Sequence, residues 1–168
     1  MEYRILGPLE VVDENGPVAL GTVKERLVLA VLLLHANEVV TRDRLIDELW
    51  GEAPPATAKK AVNVYVSQLR KTLAHDAADP IQTVSGGYCL LADADLLDAT
   101  RAQELLARAR ESASAGEPDT AAALFRQSLA LWRGRTLAGL ELEAEYGWFD
   151  RRPLEDDSPE LVFVARKR

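Results

Sequence analysis

The chain has 168 residues, of which 48% are hydrophobic and 28% charged, with a formal net charge of −7. That length suits one or two small domains, and the apolar content supports a packed core rather than disorder throughout. The acidic balance weighs against general nucleic-acid binding, so any DNA contact must be a local basic patch on an acidic body. A single cysteine, Cys89, excludes an internal disulfide and suits a reducing cytoplasm. No signal peptide is visible, and the greasiest stretch, residues 28–34, is too short to span a bilayer, so a soluble cytoplasmic protein is expected.

Residues 2–12 (EYRILGPLEVV) and 18–20 read as short strands, broken up by the turn signals Gly7-Pro8 and DENGP at 13–17. A small antiparallel sheet is expected there. Thr22 is the expected cap of a helix reaching about Ala36, where Leu27, Val28, Val31, Leu32 and Leu34 make an apolar surface broad enough to be nearly enclosed. Thr41 caps a second helix ending at Trp50, with Leu45, Ile46 and Leu49 facing inward. Gly51-Glu52-Ala53-Pro54-Pro55 ends it, because proline cannot extend a helix and holds the residue before it extended.

Residues 56–74 (ATAKKAVNVYVSQLRKTLA) organise the chain. Val62, Val66, Leu69 and Leu73 recur at helical spacing, so one face packs on a core. Opposite lie Lys60, Val64, Ser67 and Lys71, with Asn63, Gln68 and Arg70 on the flanks, and no acid occurs between Ala53 and His75. Such a helix can enter a major groove: lysines meet phosphates, Asn63 and Gln68 bond adenine in a bidentate way, and Val64 touches a thymine methyl. The plainer reading is a solvated outer face, and the helix alone does not choose. A strand at 81–84, the turn Ser85-Gly86-Gly87 and a strand at 88–91 then form a hairpin behind a helix-turn-helix, the layout of a winged helix.

Farther on, Asp98 is a candidate cap for a helix through Ala113, with Ala102, Leu105, Leu106 and Ala109 on its apolar side. Gly116-Glu117-Pro118 breaks the chain before a helix from Asp119 to about Arg133, with Ala122, Leu124, Phe125, Leu129 and Trp132 as its face. Two such helices resemble one tetratricopeptide-like unit. The fold class expected is α+β, with a winged helix over 1–92, a helical segment over 95–145 and a tail of unknown structure over 146–168. Catalysis finds no support. His35, His75 and Cys89 lie far apart, no phosphate-binding or dinucleotide fingerprint occurs, and no metal, cofactor or enzymatic activity is expected.

The series LHAN, LIDELWG, PPATA, YVSQLRK and GGY, in that order within residues 1–92, resembles the Streptomyces antibiotic regulatory proteins (SARPs). Their DNA-binding half is similar to the winged helix of OmpR-type response regulators. LLARARESASAGEPDTAAALFRQSLALWRGRTLAGL is similar to the opening of the bacterial transcriptional activation domain that follows it. The resemblance implies a recognition helix at 56–74 and a wing at 81–91, with Lys60, Asn63, Ser67, Gln68, Arg70 and Lys71 in contact with DNA. It implies a phosphate contact for Thr83 and an indole N–H to phosphate for Trp50, whose plainer role is half-buried packing. Ser85 stands where related winged helices carry a minor-groove arginine. The loop of Glu52, Pro54 and Pro55 would face RNA polymerase.

The implied activity is transcriptional activation of a secondary-metabolite gene cluster. It would work by side-by-side binding of two copies to direct repeats in promoter DNA near the −35 element, with polymerase recruited through its sigma factor. The departure from the family is at the end: GWFDRRPLEDDSPELVFVARKR matches nothing in it, and the helical part is either a lid on the winged helix or half of a larger stack. The alternative function is a protein-interaction module whose winged helix has lost DNA affinity.

Overall fold

Two threonines set where the first helices begin. In the computed structural model, which describes residues 1–74 and 79–140, Thr22 accepts from the Glu25 N–H while the Glu25 carboxylate accepts from the Thr22 N–H. This reciprocal box opens α1 (Val23–Leu34). Thr41 accepts from the Arg44 N–H and opens α2 (Arg42–Trp50). The unbroken run Leu27 to Leu33 is buried, which accounts for the breadth of apolar sequence in α1. Beyond an exposed turn, α3 (Ala58–Leu73) buries Val62, Val66, Leu69 and Leu73. The three helices pack on one another.

Strands β4 (Val40–Thr41), β5 (Ile81–Val84) and β6 (Gly87–Leu90) form an antiparallel sheet in the order β4-β6-β5, with Tyr88 opposite both Val40 and Thr83. Strand β4 was not foreseen: two β-branched residues between helices give too short a pattern to read. The paired glycines at the hairpin tip have separate tasks. Gly86 has φ +83, and a Cβ on Gly87 would run into the Val40 carbonyl. Three helices and this hairpin make a winged helix-turn-helix.

The remaining described residues cluster differently from a cut at residue 92. Met1–Ala19 and Ala92–Ala138 make one compact unit, and Leu20–Leu91 is the body of the other. In the first unit, β1 (Glu2–Arg4), β2 (Glu10–Asp13) and β3 (Gly16–Pro17) form an antiparallel meander. The third strand falls earlier than 18–20. Gly16 (φ +115) and the Asp13 carboxylate, which accepts from the Asn15 N–H, close the turn within two residues.

Helices α4 (Asp98–Ser114) and α5 (Pro118–Ala130) follow, joined through Gly116 (φ +79). Helix α5 starts at the proline, one residue before the expected Asp119, because proline's missing N–H costs nothing in a first turn. Asp98 is not a cap, and the expectation is corrected. It is the first residue of α4, and its carboxylate accepts from the backbone N–H groups of Ile5 at 2.8 Å and Leu6 at 3.0 Å. The α5 face is also corrected: Leu124 is buried, but Phe125 and Leu129 are 37% and 66% exposed. Ala121 and Ser128 take the seam instead, the Ser128 hydroxyl donating to the Ala102 carbonyl at 3.1 Å. Small residues on both helices allow that close approach. His75, Asp76, residues 141–145 and the expected tail lie outside the described residues.

Candidate nucleic-acid interface

Helix α3 is divided sharply between its two sides. Val62, Val66, Leu69 and Leu73 are at most 1% exposed, while Lys59, Lys60, Asn63, Val64, Ser67, Gln68 and Lys71 are exposed. The sequence therefore places six of the expected contact residues on one open face. Lys59 joins them; the Lys-Lys pair was its signal. Val64, 48% exposed, sets an isopropyl group among polar neighbours.

The charge is distributed to match. Residues 20–91 hold eight basic and eight acidic side chains, so the whole excess of seven negative charges lies outside them. Helix α3 has four basic residues and no acid, and two of these, Arg70 and Lys71, sit in its last turn, where the helix dipole favours them.

Three expected contact residues are tied into the fold. The Arg70 guanidinium donates through Nε and Nη2 to the Ile81 carbonyl (2.9 and 2.5 Å), through Nη2 to Thr83 Oγ1 (2.8 Å), and pairs with Asp79 at 2.7 Å. Arg70 and Thr83 thus meet each other, and together they clamp β5 to α3. Trp50 is half-buried and stacks on Tyr65, with centroids 6.4 Å apart and 25° between planes. The Lys24 ammonium lies 5.1 Å from the Trp50 ring centroid and donates to the Leu49 carbonyl at the end of α2. The ammonium thereby satisfies a carbonyl in the last turn of α2.

Asn63 is exposed, yet its Oδ1 accepts from the Tyr88 hydroxyl at 2.6 Å. Arg42 Nε donates to the same hydroxyl at 3.5 Å, with the guanidinium 5.3 Å from the ring centroid. Sequence reasoning missed Lys24, Arg42 and Tyr88, whose partners lie 25 or more residues away and leave no local pattern. The loop after α2 turns at Gly51 (φ +58), and Glu52, Pro54 and Pro55 are all exposed. Among the described residues no group of three His, Cys, Asp or Glu side chains could hold a metal, and no helix is long and apolar enough to cross a membrane. Cys89 is buried, which pushes its thiol above the usual range.

Comparison with known proteins agrees with this layout. Residues 16–90 match the family "Transcriptional regulatory protein, C terminal", and residues 97–162 match "Bacterial transcriptional activator domain". Regulatory protein AfsR of Streptomyces coelicolor is 40% identical over 143 residues, covering 83% of this chain and 14% of AfsR. Regulatory protein DnrI of Streptomyces peucetius is 36% identical over 159 residues, covering 88% of this chain and 57% of DnrI. The solved structure of Mycobacterium tuberculosis EmbR, in complex with a low-affinity phosphopeptide, superposes with a TM-score of 0.78 at 34% identity, over 81% of this chain and 37% of that one. The chain thus spans less than two thirds of the length of these relatives. With both domain types in this order and these relatives over most of its length, the chain belongs to the SARP family of transcriptional regulators.

Proposed function

We propose that the chain is a sequence-specific DNA-binding transcriptional activator, and not an enzyme, acting on double-stranded promoter DNA in the cytoplasm. The single observation that carries this reading is the open face of α3. It offers cations, amides, a hydroxyl and one exposed valine, with no acid to repel phosphate. Helix α3 enters the major groove; Lys60 and Lys71 neutralise phosphates, Asn63, Ser67 and Gln68 reach base edges, and Val64 meets a thymine methyl. Trp50 and Thr83 lie against the DNA backbone, and Arg70 holds the wing in register for them.

The family supports the finer parts of the proposal. These are side-by-side binding of two copies to direct repeats, contact of the loop bearing Glu52, Pro54 and Pro55 with RNA polymerase and its sigma factor, and control of an antibiotic gene cluster. A gel shift on promoters from the protein's own genetic neighbourhood, with competitor DNA and a footprint, tests it. Protection of one face of a repeated site that resists competitor is expected. Binding that competitor removes entirely would leave the winged helix without a specific DNA target.

A further inference from the structure

One side chain on the open face of α3 is already half committed. Arg42 has only donors, so the Tyr88 hydroxyl 3.5 Å from its Nε must act as acceptor. The single hydrogen of that hydroxyl then goes to its other partner, the Asn63 oxygen at 2.6 Å. Exchanging the oxygen and nitrogen of the Asn63 amide would leave the hydroxyl hydrogen of a buried tyrosine without an acceptor. The Asn63 oxygen is therefore held toward Tyr88 with one of its two lone pairs engaged, and the Nδ2 amino group, a donor, is the uncommitted half of the amide.

We propose that Asn63, polarised by this relay from Arg42 through Tyr88, determines specificity by reading guanine rather than adenine. Guanine presents two acceptors in the major groove, N7 and O6, which suit an amino group. Adenine sets the N7 acceptor beside the N6 amino donor, and reading both requires the amide oxygen as well as the amino group to face the base, whereas Tyr88 draws that oxygen toward itself and engages one of its two lone pairs. Tyr88 is a positioning residue: at 4% exposure it acts through Asn63. The inference rests on α3 being the groove-reading helix, and it names the base class that this helix recognises.

The test is an affinity selection from a randomised duplex library with the full chain, as wild type and as Asn63→Ala, Asn63→Asp and Tyr88→Phe. The wild-type consensus should contain a guanine whose preference falls by about 5- to 140-fold in Asn63→Ala. Asn63→Asp, which only accepts, should move that position to cytosine, whose N4 donates. Tyr88→Phe, checked as folded by circular dichroism, should move the same position toward adenine and leave the others alone. A merely structural Tyr88 would lower affinity at every sequence without changing that position.

The inference is overturned if the Asn63-dependent base is anything but guanine, if Asn63→Asp keeps guanine, or if folded Tyr88→Phe keeps the wild-type profile. Should Tyr88→Phe fail to fold, the wild type against Asn63→Asp decides. If the wild type selects no sequence at all, the reading of α3 as a DNA helix fails first and takes this inference with it. A selected consensus without the guanine sinks the inference alone.

Discussion

Lys60 and Lys71 lie eleven residues apart on α3, three helical turns, and both are exposed. If each neutralises one phosphate, changing either to alanine should weaken binding to all sequences and lower the slope of log affinity against log salt by about 1. Filter binding across a salt series measures it, and an unchanged slope in the double variant would take both lysines out of the interface. Such residues were legible because a cation on the face opposite Val62, Val66 and Leu69 follows from helical period alone. The state of Asn63 was not. Whether an amide is a donor or an acceptor depends on its partner, and that partner, Tyr88, lies on another element. Arg70 shows the same limit. Its position on the flank of α3 was readable, but its engagement with Ile81, Thr83 and Asp79 was not.

At the scale of elements, the Arg70 clamp separates two ways of losing DNA affinity. Removing a phosphate contact lowers the salt slope, whereas freeing the wing costs affinity without changing the count of released ions. Arg70→Ala is expected to weaken binding with the slope unchanged and to speed amide exchange in β5, whose Ile81 carbonyl it holds. A slope reduced by a full unit, with β5 exchange as before, would return Arg70 to the phosphate contacts. The loop after α2 makes the opposite kind of prediction. Its one charge, Glu52, would be repelled by phosphate and attracted by a basic polymerase surface. Glu52→Lys should keep or slightly raise DNA affinity while reducing activated transcription in vitro. If transcription is unmoved, the polymerase contact lies elsewhere. Caps, prolines and paired glycines located these elements well because their signals are local: Thr22, Thr41 and Pro118 each act within four residues of themselves.

For the molecule as a whole, the long-range pairing of Asp98 with Ile5 and Leu6 was hidden for the complementary reason, since it spans more than ninety residues. Burial pushes the Asp98 carboxyl above its usual range, against the pull of the two amides and of Arg133 3.7 Å away. Because the folded value is the higher one, the stabilising share of this titration is fully present below the ordinary carboxylate range. It is lost as pH rises through the folded value. Asp98→Asn should abolish that limb of the stability–pH curve. It should also cost about 1–3 kcal/mol near neutral pH, since the amide can satisfy only one of the two N–H groups. Urea unfolding at several pH values reads both effects, and a variant as stable as the wild type would show that the pairing contributes nothing.

The division into units has a consequence in time as well as in space. Residues 1–19 leave the ribosome before residues 20–91, yet the Asp98 that holds Ile5 and Leu6 is made some eighty residues later. At usual rates of synthesis that interval is on the order of 4–16 s, long compared with the folding of a small domain. The opening strands must therefore wait, unpaired with α4, while the whole of residues 20–91 is made and folds between them. In order of synthesis the winged helix is an insert that matures within an unfinished unit, and residues 1–19, made before it, find their place after it.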